Sequence, residues 1–143
     1  MSASPEAQAR TRNFARVLGP FLTIVPVTVA IRAEELGRMS LQGFFGDPVL
    51  VWVLGAMLLF AGLFIIAFHQ SWSSAAAVII SLLGWFFTLR GLALLTVPDV
   101  YARATRASVA VMPLVRGGFA VLALAGLWLT YVGWIAKPPR APH

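Results

Sequence analysis

The sequence predicts an all-α membrane protein, a bundle of four transmembrane helices with an interfacial loop between the first two. Of its 143 residues, 59% are hydrophobic and 11% are charged, whereas soluble domains have about 25% charged residues. A soluble chain of this length buries only about 60–70% of its surface, so it could not cover so much apolar surface. Most of the excess hydrophobic residues lie in four apolar stretches, each of about the length that crosses a bilayer.

The transmembrane domain is predicted to cover residues 13–136, with spans at residues 14–31, 49–68, 73–97 and 108–136. The first span is short, and Pro20 and Pro26 interrupt it, so we expect a kinked helix with Arg16 extending to the interface. The basic residues before it also resemble the start of a signal peptide. Because no small-x-small cleavage site precedes Arg32, we expect the segment to be retained.

The other three spans have clearer boundaries. Residues 49–68 contain no charge and follow Pro48, which suits the first turn of a helix. The third span should end before Pro98, because the residue that precedes a proline disfavours the helical conformation. The fourth ends with Trp134 shortly before Lys137, and an aromatic residue beside a cation is typical of a helix that leaves the membrane.

The remaining segments are predicted to lie outside the hydrocarbon. Residues 1–12 form a polar N-terminal tail, residues 98–107 a connection, and residues 137–143 a proline-rich C-terminal tail. Residues 32–47 mix large apolar side chains with polar ones and glycines. This mixture favours a loop that lies in the plane of the interface.

The basic charge of the chain predicts contact with membrane lipids. The formal net charge is +6, and ten of the eleven basic residues are arginine. These arginines do not form a long run, so we expect anionic lipid headgroups and not nucleic acid as their partners. Basic residues are divided almost evenly between the two sides of the four-span layout. We expect both termini in the cytoplasm, and an even division also permits insertion in both orientations.

Two arginines fall within the predicted spans. Arg90 lies eight residues before Pro98, and Arg116 lies eight residues after an expected helix start at Ser108, so both would lie about 12 Å below the same surface. An arginine in hydrocarbon costs about 2.5–3.5 kcal/mol on insertion scales. Each guanidinium therefore needs a compensating partner or access to water.

These arginines have two interpretations. The first is snorkelling to the interface, or a salt bridge to an acid at the same surface, for which the candidates are Glu34, Glu35, Asp47 and Asp99. The second is a shallow cationic pocket for a phosphate-bearing lipid or another anion, because planar guanidinium groups suit oxyanions. The candidate residues for that pocket are Arg90, Arg116, Arg32 and Arg103.

Glycines recur at seven-residue spacing in three of the spans. The pairs are Gly55 with Gly62, Gly84 with Gly91, and Gly126 with Gly133. Small residues let helix backbones approach closely in lipid, so these glycines predict close packing within the bundle. A stripe of this kind can equally face a partner, and we expect a homo-oligomer or a larger membrane complex.

Residues that carry most membrane chemistry are rare in this sequence. The apolar spans contain no Asp, Glu or Lys, which disfavours a proton- or sodium-coupled carrier. The chain has two histidines and no cysteine, so we expect no metal, haem or other cofactor. His69 is expected to be an interfacial polar residue. Ser71, Ser73 and Ser74 lie near it without a carboxylate to orient a base, so we expect no catalytic site.

A short motif resembles a known group of proteins. The residues that carry it lie between positions 69 and 98 and are His69, Trp72, Gly84-Trp85, Arg90-Gly91 and Pro98. They resemble a pattern in uncharacterised small bacterial four-helix inner-membrane proteins. The resemblance implies a bacterial inner-membrane location and the four-span layout, and it places Arg90 at the basic position of the group. It carries no activity.

Together these observations favour a structural, accessory or assembly component of the inner membrane without catalytic activity of its own. The alternative is a small homo-oligomeric transporter or channel for an anion or amphiphile. A membrane enzyme acting on lipid is the least favoured interpretation, because no constellation of acid and base residues accompanies the spans.

Overall fold

A computed structural model describes residues 4–35, 43–109 and 111–136, and the regular secondary structure of this part of the chain is helical, without β-strands. Its principal helices are α1 (Pro5–Ile31), α2 (Pro48–Phe68), α3 (Ala75–Thr96), α4 (Pro98–Val109) and α5 (Met112–Thr130), with a π-helical turn at Tyr131–Ile135 that extends α5. Four helices, with α5 counted through Ile135, are long and apolar enough to cross a membrane. The predicted all-α class and the four candidate spans are thus confirmed.

Most of the apolar surface of these helices faces outward. Only 22–33% of the most apolar 18-residue stretch of each is buried inside the protein. Large apolar side chains on the outside include Phe60, which is 72% exposed, and Leu114, which is 74% exposed. Such a surface suits a hydrocarbon solvent, because a soluble protein turns its large apolar side chains inward.

The first helix begins earlier than predicted. The Ser4 side chain accepts a hydrogen bond of 3.3 Å from the amide of Ala7, and Pro5 occupies the first turn, where its missing N–H does no harm. Residues 5–12 therefore form the first turns of α1, and the prediction that residues 1–12 are a tail is wrong for them. The Ser-Pro-Glu sequence is a helix-capping signal, and it decides the start of the helix although the polar composition of the segment is that of a tail.

The connection between the third and fourth spans also differs from the prediction. Residues 98–109 form α4, which turns Tyr101, Ala102 and Thr105 inward and leaves Arg103 and Arg106 exposed. The fourth span consequently begins at Met112 and not at residue 108. Pro113 lies in the first turn of α5 and lacks the N–H that would continue a helix from α4.

The bundle consists of two antiparallel helix pairs. In the first pair α1 packs along α5, so that Gly19 lies against Thr130 and Gly126 against Leu22. In the second pair α2 packs along α3, and Gly91 lies against the backbone of Leu59. The two pairs meet mainly where α1 contacts α3. The core between them contains Ala15, Leu18, Leu22, Ile65, Ala76, Ile80, Leu83 and Leu129.

This arrangement gives the bundle two distinct ends. The start of α1, the end of α2, the start of α3 and the end of α5 share one end, which we call the terminal end. Helix α4 and the other helix termini share the opposite end, which we call the loop end. Of the predicted interfacial loop at residues 32–47, residues 32–35 and 43–47 lie at the loop end, and residues 36–42 fall outside the described residues, as do residues 1–3, 110 and 137–143.

Candidate functional site

Arg90 lies in the last third of α3, six residues before the helix ends at Thr96. At 1.5 Å per residue this places its Cα about 9 Å from that end. The guanidinium carbon lies 5.9 Å from the ring centroid of Phe86 and 5.5 Å from that of Tyr101. Phe86 is one helical turn earlier on α3, whereas Tyr101 belongs to α4 and is itself packed against Phe45. The cation is thus held between two aromatic rings from different helices.

The Nε atom of Arg90 is buried and has no hydrogen-bond partner. No carboxylate of the described residues lies within 4.0 Å of this side chain. A buried donor without an acceptor is costly, and native structures contain few of them. This makes Arg90 the least satisfied polar group in the described part of the protein.

Arg116 has a different environment. It lies four residues after the start of α5, about 6 Å from that helix end, and not at the predicted depth of 12 Å, because α5 starts at Met112. Its Nη2 atom donates a hydrogen bond of 2.8 Å to Oε1 of Glu34. The side chains are 44% and 70% exposed. Of the four candidate acids, the structure therefore pairs Glu34 with Arg116.

The four arginines of the predicted pocket do not share a common set of contacts. Arg116 is neutralised by Glu34, and Arg90 is held by two rings. Arg32 is the C-cap residue of α1 and is exposed, and Arg103 is exposed on α4. All four residues nevertheless lie toward the loop end of the bundle, together with the acidic residues Glu34, Glu35, Asp47 and Asp99.

The six predicted packing glycines all lie at helix contacts. A Cβ atom added to Gly126 would come within 2.5 Å of the carbonyl carbon of Leu22, and one on Gly84 within 2.8 Å of Ile65 Cγ2. The other four are Gly55, Gly62, Gly91 and Gly133, where an added Cβ would also meet a neighbouring helix at 3.0 Å or less. Gly19 makes the same kind of contact with Thr130 and was not singled out by the sequence, because no second glycine follows it at seven residues.

The least expected feature is a buried polar cluster around His69. This residue is 2% exposed and joins three segments of the chain. Its Nε2 atom lies 3.0 Å from Oγ1 of Thr11 on α1, and its Nδ1 atom faces Oγ of Ser81 on α3 at 3.5 Å. The Phe14 ring packs on the imidazole with centroids 5.2 Å apart. His69 is therefore an interior residue of the bundle that links the two helix pairs, and its place at the membrane interface stays a prediction.

The neighbouring hydroxyls both donate to backbone carbonyls, which leaves their oxygens able to accept from the ring of His69. The Thr11 hydroxyl donates to the carbonyl of Ala7 at 2.9 Å, so its oxygen is free to accept from Nε2–H of the neutral ring. The Ser81 hydroxyl donates to the carbonyl of Ser71 at 3.0 Å. Burial lowers the pKa of His69, and the charge of Arg10 lowers it further, against a smaller opposing effect of the His69 backbone hydrogen bond. The neutral ring is thus favoured.

A small cleft connects this cluster to the outside at the terminal end. It measures about 100 Å³ and is lined by Ala7, Arg10, Phe68, His69, Gln70 and Ser71.

A second polar contact closes the terminal end of the first helix pair. The Nε atoms of Arg12 and Arg16 both donate to the carbonyl of Gly133, at 3.1 and 2.9 Å. Trp134 donates from Nε1 to the carbonyl of Arg16 at 3.2 Å. Carbonyls in the last turn of a helix lack intrahelical donors, and cations are favourable there. Arg12, from the predicted tail, and Arg16, from the start of the predicted first span, thus hold α1 against the end of α5.

No group of three His, Asp or Glu side chains that could hold a metal ion occurs in residues 4–35, 43–109 and 111–136. Comparisons of the chain with known protein families, curated proteins and solved structures found no match. The geometry of the described residues is therefore the basis on which a function is proposed.

Proposed function

We propose that the protein is a small multi-pass protein of the bacterial inner membrane, and that it acts as a structural, accessory or assembly component through helix packing. The outward apolar surface and the four long helices support membrane insertion. The buried polar contacts of His69 and Gly133 each join helices to one another, which is what a packing component requires.

The observation that carries this proposal is an open small-residue surface on α5. Gly117 and Gly118 are exposed, and a Cβ atom added to either would meet nothing within 4 Å. The other glycines of α5, Gly126 and Gly133, lie against α1. Because small residues permit close helix approach in lipid, the exposed pair offers a place where a helix of a partner can pack.

The test is gentle detergent extraction followed by native mass measurement, with Gly118→Leu as the informative variant. A different protein bound to the wild-type chain, and lost in the variant, supports the accessory role. Gly126→Leu is the contrasting change, since it should damage the fold itself. A wild-type chain that is always isolated alone from its native membrane would contradict the proposal.

We also propose that the terminal end lies in the cytoplasm, where Arg10, Arg12 and Arg16 would satisfy the excess of basic residues usual on that side. The chain has no cysteine, so single-cysteine variants have no background. A cysteine at Ser4 should be protected from a membrane-impermeant maleimide in intact cells, and one at Ser108 should react. The reverse pattern would place the termini outside, and labelling of both would indicate insertion in both orientations.

A second candidate function is a small homo-oligomeric transporter or channel for an anion or amphiphile. The unpartnered Nε of Arg90 favours it, because a cation without a counter-ion attracts anions. Reconstitution into liposomes tests this function. Anion flux that is present in the wild-type protein and lost in Arg90→Gln supports transport, whereas a homo-oligomer without flux contradicts it.

A further inference from the structure

Arg90 combines three properties within the described residues. Its Nε is buried without an acceptor, its guanidinium lies between the rings of Phe86 and Tyr101, and no carboxylate lies within salt-bridge distance. The rings stabilise the charge through their faces but accept no N–H hydrogen bond in the plane of the guanidinium. The Nε donor of Arg90, which lies in the plane of the guanidinium, therefore still lacks an oxygen acceptor.

Two acids of the loop end are engaged elsewhere. Glu34 binds Arg116 at 2.8 Å, and the Asp47 carboxylate caps α2 by accepting from the amides of Val49 and Leu50. The other two candidate acids, Glu35 and Asp99, form no salt bridge with Arg90, so an acceptor for its Nε has to come from outside the described residues.

The position of Arg90 restricts what that acceptor is. Its Cα lies about 9 Å from the end of α3, and an arginine side chain extends toward the interface from that depth. In an inserted bundle this brings the guanidinium to the phosphate layer of the lipid headgroups. On the adjoining helix α4 the two exposed arginines Arg103 and Arg106 outnumber the single acid Asp99, which favours an anion there.

We propose that Arg90, held between Phe86 and Tyr101, binds a phosphate group at the loop end of the bundle. A planar guanidinium with in-plane donors matches two phosphate oxygens. The phosphate belongs either to a phospholipid headgroup or to a free phosphate ion. Arg116 takes no part, because Glu34 already neutralises it. The inference rests on membrane insertion from the proposed function, but not on a partner protein.

The experiment is native mass spectrometry of the full chain in a mild detergent with three added probes. These are dioleoylphosphatidylglycerol, dioleoylglycerol and inorganic phosphate. The wild-type chain should retain the phospholipid and not dioleoylglycerol, which has the same acyl chains without phosphate. Arg90→Gln should retain at least tenfold less phospholipid, and the matched variant Arg116→Gln should stay within twofold of wild type. Millimolar inorganic phosphate that displaces the phospholipid identifies a free-anion site, and phospholipid that survives it identifies a lipid site.

The rings supply a second test that does not change the charge. Tyr101→Phe should keep phospholipid retention within twofold, whereas Tyr101→Leu should reduce it at least threefold. Phospholipid retention by Arg90→Lys should lie between that of wild type and that of Arg90→Gln, because an ammonium keeps the charge but lacks the planar pair of donors. Equal retention by wild type and Arg90→Gln, or equal retention of dioleoylglycerol, would overturn the proposal. The same spectra report any bound protein partner, so failure of the phosphate site and failure of the packing role are separate results.

Discussion

The imidazole Nε2 of His69 lies 3.0 Å from the hydroxyl of Thr11, although 58 positions separate the two residues in the sequence. Thr11 belongs to the helix pair formed by α1 and α5, and His69 follows the last residue of α2 in the other pair. The rest of the contact between the pairs is largely apolar, including an edge-to-face contact of Phe21 with Phe87. A directional hydrogen bond in that setting fixes the register of one pair on the other.

Acidification should destabilise the bundle through His69. Burial and the charge of Arg10 hold the pKa of His69 below its ordinary value near 6.5, so the unfolded chain binds a proton more readily than the folded one. The contribution to stability is complete above about pH 6.5 and declines as the pH falls from there toward the folded-state pKa. Thermal unfolding in detergent between pH 7.5 and 5 measures it. His69→Gln should flatten the dependence, and an unchanged slope in that variant would contradict the assignment.

Thr11→Val should weaken the contact between the helix pairs. Valine has the shape of threonine but leaves one buried ring nitrogen of His69 without its partner, a loss of about 1–3 kcal/mol. Thr28→Val is the control, because Thr28 is exposed and its hydroxyl bonds only to the carbonyl of Ile24 in its own helix. Unfolding midpoints of the two variants provide the comparison. Equal midpoints would show that the Thr11 hydroxyl contributes nothing.

Gly91→Ala should destabilise the α2–α3 pair. The added Cβ would meet the backbone of Leu59, and backbone cannot move aside as a flexible side chain does. Overpacking of this kind costs about 1–3 kcal/mol. Gly118→Ala makes the same chemical change on α5 where nothing lies within 4 Å, and should leave the unfolding free energy of the isolated chain unchanged or slightly higher. A similar loss of unfolding free energy in both variants would mean that the contact between α2 and α3 is not the cause of the destabilisation.

The ion pair of Arg116 with Glu34 should contribute little. Both side chains are substantially exposed, at 44% and 70%, and exposed pairs are worth about 0.2–1 kcal/mol. A double-mutant cycle with Arg116→Gln and Glu34→Gln measures the coupling directly. We expect it to shrink further as salt is raised from 0.05 to about 0.5 M, through screening. A coupling well above 1 kcal/mol that is insensitive to salt would show that the pair is buried in the working state.

The sequence predicted the spans well, because runs of apolar residues report a hydrocarbon environment whatever their neighbours are. Glycine spacing also located real helix contacts, since residues seven apart lie on one helix face. Helix α4 was missed because Tyr101 is the one large residue among those it turns inward, while Ala102 and Thr105 are small. Its omission then misplaced the depth of Arg116.

The polar cluster could not be predicted for a different reason. His69 is buried by Thr11 and Phe14, and Thr11 lies in a segment whose composition is that of a tail. Nothing local to residue 69 indicates which helix covers it. The same applies to Glu34, whose choice over the other acids depends on α1 and α5 being neighbours.

The pairing of α1 with α5 has a consequence for how the protein is made. Helix α2 emerges from the ribosome directly before its partner α3, but the partner of α1 begins only at Met112, with residues 32–111 synthesised in between. At a synthesis rate of about 5–20 residues per second, several seconds to more than ten pass before α5 is made. During that time Gly19 and Leu22 of α1 lack the contacts that α5 provides. During synthesis the first helix is therefore the one that stays longest without its packing partner, and α5 completes that helix pair.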